Sequence, residues 1–176
     1  LEATAKGIAH DAGDDDGVAP GLVERFIEDL PYPLTGAQQR AITEIRGDLA
    51  GGVPMHRLLQ GDVGAGKTVV ALAAMLVAVQ GGHQAALMAP TEVLAEQHAS
   101  ALTQMLTGVQ RASEDTLFGQ SPLSVALLTN RTPAAERRRI AAGLADGGID
   151  LVVGTHALIA GSVEFSSLGV VVIDEQ

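Results

Sequence analysis

The sequence predicts an open α/β fold, a mostly parallel sheet flanked by helices, and three observations carry that prediction. Short apolar runs alternate with helix-length segments from about residue 55 onward, the pattern of strands joined by helical crossovers. The composition is aliphatic and glycine-rich: 47% of the 176 residues are hydrophobic, only 2% are aromatic, and 21 are glycine, so the core must be built from Ala, Val, Leu and Ile with many tight turns. A glycine-rich loop, Gly61 to Thr68, sits between an apolar run and the start of a helical segment, where a phosphate-binding turn of such a fold belongs.

The elements follow in order. Leu22 to Leu30 reads as a short helix with Leu22, Phe26 and Leu30 on one face, stopped by Pro31 and Pro33. Thr35 is placed to cap a helix from Gly36 to Leu49, whose apolar positions Ala37, Ala41, Ile45 and Leu49 recur every four residues. Gly51 and Gly52 end it. Met55–Gln60 reads as the first strand, Lys67–Gln80 as a helix, Gln84–Ala89 as a strand and Glu92–Leu106 as a helix. A looser stretch from Thr107 to Pro122 precedes a strand at Leu123–Leu128. Pro133 suits the first turn of a helix ending at Ala145. Strands at Asp150–Val153 and Gly169–Ile173 complete the pattern, with ligands expected at the carboxyl ends of the strands.

Composition also excludes functions. Without cysteine there is no disulfide and no thiolate metal site, and a cytoplasmic location is the expectation. No apolar run approaches the ~18 residues of a membrane span, and Val69 to Val79, the longest, reads as a buried helix; no membrane association is expected. The net charge of −10 argues against a chain that grips nucleic acid unaided. Residues 1–30 contribute −6 of it, and 1–21, with Asp14, Asp15 and Asp16 in a row, read as a disordered acidic linker ahead of one domain over 22–176. Because the chain opens on Leu1 and stops just after an apolar run, the expectation is a piece of a longer protein, its domain incomplete at the C-terminus.

Two constellations carry chemistry. Gly61-Asp62-Val63-Gly64-Ala65-Gly66-Lys67-Thr68 fits G-x-x-x-x-G-K-[ST] without mismatch. Glycines let backbone N–H groups turn inward on a phosphate, and the helix N-terminus adds the positive end of its dipole. Gly61, Gly64, Ala65, Gly66, Lys67 and Thr68 are therefore the candidate nucleotide contacts, with Lys67 on the β- and γ-phosphates and the Thr68 hydroxyl on Mg²⁺. Lys67 is one of only two lysines in the chain, which makes a chance match harder to sustain. The second constellation is the run Val170–Ile173 ending in Asp174 and Glu175. In phosphate-loop enzymes the first acid holds Mg²⁺ and a following Glu polarises the attacking water, so Asp174 is the candidate metal acid and Glu175, with Lys67, the candidate catalytic pair.

With both constellations in place, the flanking segments resemble those of superfamily 2 helicases, and among them the RecG family. Asp174-Glu175-Gln176 resembles the start of the D-E-x-H box, and Leu30 to Gln38 (L-P-Y-P-L-T-G-A-Q) is similar to the family's lead-in L-P-F-x-L-T-x-A-Q, with Tyr32 in place of Phe. Gln60 to Ala73, Ala86 to His98 (A-L-M-A-P-T-E-V-L-A-E-Q-H) and Val152 to Ile159 (V-V-G-T-H-A-L-I) resemble the phosphate loop and motifs Ia and Ic of that family. The resemblance covers about Leu22 to Gln176. It implies a RecA-like domain using ATP, Gln38 against adenine, and Pro90, Thr91, Thr155 and His156 against the DNA backbone. It also implies a motor working with a wedge domain and a second RecA-like domain, here missing, on branched duplex DNA such as forks and Holliday junctions, as a monomer. The segment alone is then expected to bind nucleotide without being a competent helicase.

Alternatives remain. A related Mfd-like or PriA-like translocase would share much of this pattern. A GTPase would need an N-K-x-D element, yet the single asparagine, Asn130, is followed by Arg131 and Thr132. A nucleotide-binding module without turnover is the third reading. His98 and His156 lack metal-ligand spacing, so no zinc is expected. Arg137, Arg138 and Arg139 point three ways around a helix and read as a solvated face.

Overall fold

The computed structural model describes residues 21–62, 64–112, 120–159 and 163–174, so the acidic tract over 1–20, Val63, Glu175 and Gln176 lie outside the described residues. The order is α1 (Leu22–Glu28), α2 (Gly36–Leu49), α3 (Lys67–Gln80), β1 (Gln84–Met88), α4 (Glu92–Met105), β2 (Gln110–Ala112), β3 (Gln120–Pro122), β4 (Val125–Leu128), α5 (Ala134–Ala145), β5 (Leu151–Gly154), a 3₁₀ turn (His156–Ile159) and β6 (Leu168–Ile173). Four strands form an all-parallel sheet in the order β4-β5-β1-β6, with Ala86 opposite Val152 on one side and Val171 on the other. This is the expected α/β fold of RecA-like type.

Strand alternation sends alternate side chains to opposite faces. Ala85, Leu87, Leu151, Val153 and Val170 face a core shared with α1, α2, α3 and α4. Ala86, Val152 and Leu128 face a smaller cluster with Ile140 and Leu144 of α5. β6 leaves Val171 and Ile173 exposed on that second side. The helix α3 is apolar all round because it is wrapped on all sides: Leu72, Ala73, Met75, Leu76 and Ala78 are fully buried, against α1, α2, β1 and β6. Among the described residues no helix is long and apolar enough to cross a membrane.

The segment Met55–Gln60 is not a strand. Its apolar residues suit one, but a ladder needs a neighbour in register, and among the described residues β6 pairs only with β1. Arg57 holds the segment elsewhere, donating from Nε and Nη2 to Asp48 (2.8 and 2.6 Å) and from Nη1 to Glu44 (2.7 Å), both on α2. These two carboxylates, Asp48 foremost, raise the guanidinium pKa further above its ordinary value. Leu58 is left 75% exposed. The stretch Thr107–Pro122, expected to be loose, contains the antiparallel pair β2–β3, in which Arg111 lies opposite Ser121. The other elements stand within a few residues of expectation, as helix and strand ends commonly do.

Candidate nucleotide-binding site

The phosphate loop delivers the chain into α3 through Gly66, whose φ of +73° is left-handed, as is that of Gly64 at +81°. Side chains rarely adopt such angles, and a Cβ on Gly66 would also collide with the Gln38 amide nitrogen. Lys67 and Thr68 are the first two residues of α3, both partly exposed. Lys67 Nζ donates to the carbonyls of Gly61 (2.6 Å) and Asp62 (3.1 Å), so the ammonium lies across the mouth of the loop. The Ala65 N–H closes a turn on Asp62 O at 3.1 Å, and Gly61 and Ala65 are both exposed.

Topology brings Asp174 to the same end. α3 packs antiparallel along β1 and β6, joined to β1 by the turn at Gly81–His83. Its 14 residues rise about 21 Å, against about 17 Å for the five of β1. The start of α3 therefore stands at the carboxyl end of the sheet, where β6 runs out into Asp174. That residue is held there by its N–H on Met88 O at 2.9 Å. A carboxylate and a threonine hydroxyl suit Mg²⁺, which keeps waters and takes phosphate oxygens rather than a protein cage. Among the described residues no cluster of three His, Cys, Asp or Glu side chains that could hold a metal ion occurs.

The remaining expected residues fall at this same edge with different exposure. Pro90 and Thr91 follow β1, and Thr91 Oγ1 accepts from Leu94 N at 3.2 Å as the N-cap of α4. Thr155 and His156 follow β5; His156 is exposed, but Thr155 is buried and its hydroxyl has no partner among the described residues. Gln38 has both ends of its amide engaged: Oε1 accepts from Thr35 N at 2.8 Å in a capping box, and Nε2 donates to Ala65 O at 3.1 Å. Arg137 is not merely solvated, since it donates to the carbonyl of Thr129 at 2.9 Å.

Sequence reasoning missed His98. Its Nε2 lies 2.7 Å from Asp174 Oδ2. The two residues are 76 positions apart and nothing local announces their meeting. The available signal was position alone: His98 stands three residues after Ala95 and four before Leu102, on the buried stripe of α4.

A glycine loop at a helix start, a lysine across it and an acid at the end of a neighbouring strand define a P-loop nucleotide-binding domain. Residues 35–176 match the family described as DEAD/DEAH box helicase, and the chain belongs to that family. Membership implies the use of ATP. Among relatives, the ATP-dependent DNA helicase RecG of Synechocystis is 54% identical over 155 residues, covering 88% of this chain and 17% of that protein. The ATP-dependent DNA helicase RecG of Bacillus subtilis is 49% identical over 86% of this chain and 20% of its own length. A solved structure, RecG bound to a three-way DNA junction, superimposes with a TM-score of 0.81 at 43% identity, covering 97% of this chain and 21% of that one. The chain thus spans about a fifth of the length of the relatives it matches.

Proposed function

We propose that this chain is the ATP-binding motor segment of a DNA helicase that remodels branched DNA. The observation that carries the proposal is the shared position of the Gly61–Thr68 loop and Asp174 at one end of the parallel sheet. The similarity to RecG proteins over most of the chain supplies the substrate class. In this reading the amides of the loop and the start of α3 bind the phosphates. Lys67 moves from the Gly61 and Asp62 carbonyls onto the β- and γ-phosphates, where its charge offsets that of the triphosphate. Thr68 and Asp174 hold Mg²⁺, which when bound neutralises developing phosphate charge. Glu175 orients the attacking water. Pro90, Thr91 and His156 meet the DNA backbone. Thr155 contributes through its backbone position, since its hydroxyl is enclosed. Gln38 reads adenine by exchanging one internal hydrogen bond for one to the base.

On its own the chain binds nucleotide and turns it over poorly, because helicase sites close with an arginine from a second domain. A cytoplasmic location and a monomeric state complete the proposal. Exchanging this chain for the matching segment of the Bacillus subtilis relative tests it. The chimera should hydrolyse ATP in response to forked DNA and lose that response with Lys67→Ala. A folded chimera with no DNA-stimulated hydrolysis would overturn the assignment.

A further inference from the structure

We propose that His98 is a positioning residue that fixes the Asp174 carboxylate for its metal, an inference that rests on reading Asp174 as the metal acid. The contact is 2.7 Å, with both side chains partly buried, His98 at 17% and Asp174 at 29% exposure. An ionised carboxylate only accepts hydrogen bonds, so Nε2 must carry the hydrogen whatever the charge on the ring. The donor thereby takes one acceptor site of Oδ2 and leaves the other acceptor sites of the carboxylate for a ligand.

Both partners are anchored independently of one another. Ala95 and Leu102, which flank His98 on one stripe of α4, are fully buried, and Thr91 caps the start of that helix. Asp174 is tied by its own N–H to Met88 O. The rotation of the carboxylate is therefore set by a rigid helix rather than by solvent. A histidine on this stripe, within hydrogen-bond distance of the Asp174 carboxylate at the end of β6, is explained by orienting a ligand. Partners of this kind sharpen metal affinity because the carboxylate loses no rotational freedom on binding.

The test is ADP affinity of the chain by calorimetry across a Mg²⁺ series, for the unsubstituted protein, His98→Leu, His98→Gln and Asp174→Asn. His98→Leu should raise the half-saturating Mg²⁺ concentration about 10- to 100-fold. His98→Gln, whose amide N–H reaches to a similar position, should recover most of the difference. Metal-free ADP affinity, measured with chelator, should be unchanged in both His98 variants and reports that they are folded. An unshifted Mg²⁺ dependence in His98→Leu overturns the proposal while Asp174→Asn still abolishes the Mg²⁺ effect, and so does a glutamine variant no better than leucine. If Mg²⁺ has no effect on the unsubstituted chain, or the same effect in Asp174→Asn, the reading of Asp174 falls and the proposal with it.

Discussion

The side-chain amide of Gln38 donates to the carbonyl of Ala65 at 3.1 Å, tying the first turn of α2 to the middle of the phosphate loop. The same side chain closes the capping box with Thr35. One residue thus stabilises a helix start and restrains a loop 27 positions away.

Gln38→Ala should therefore act twice. Losing half of a capping box costs about 1 kcal/mol, read as a lower urea midpoint without a change in slope. In the proposed function it should also narrow the preference for adenine over guanine nucleotides. A variant that keeps full stability would show that the amide is idle in the folded chain.

Gly66→Ala should destabilise by about 1–2 kcal/mol from the left-handed backbone alone. The collision of the new Cβ with Gln38 adds to this. The informative comparison is Gly52→Ala, where no atom stands in the way and no left-handed angle is required. Urea unfolding of the two should separate clearly, with Gly66→Ala the less stable.

Leu76→Ala empties a fully buried site in α3, between helices and sheet. The expected loss is about 2–5 kcal/mol. Thermal unfolding followed by far-ultraviolet circular dichroism measures it.

Thr91→Ala removes the cap of α4 and should cost about 1 kcal/mol, whereas Thr91→Ser should retain most of the stability. If Thr91 also meets DNA, the chimera carrying Thr91→Ala should need more forked DNA for half-maximal ATP hydrolysis. A purely structural cap would lower stability and leave that concentration unchanged.

Local chemistry explains what could be read in advance. Lys67–Gln80 is legible because a glycine loop, a helix start and an apolar segment follow one another in sequence. Thr35 was readable as a cap because a cap acts within three residues. Met55–Gln60 misled because apolar residues such as Leu58 and Leu59 suit a strand, whereas a ladder depends on a neighbour, and among the described residues β6 pairs only with β1. The β2–β3 pair escaped notice because Gln110–Ala112 and Gln120–Pro122 are short and polar, without a strand's alternation. His98 lacks metal spacing in the sequence, and its contact with Asp174 depends on the sheet placing β6 beside β1. Burial of the Thr155 hydroxyl likewise depends on packing that no motif encodes.

If Gly61 to Thr68 forms an adenine-nucleotide phosphate site, calorimetric titration of the chain with Mg·ADP and Mg·GDP, alongside Lys67→Ala, will reveal it. ADP should bind, Lys67→Ala should remove that binding, and GDP should give little response. Tighter binding of GDP, or ADP binding indifferent to Lys67, would contradict such a site.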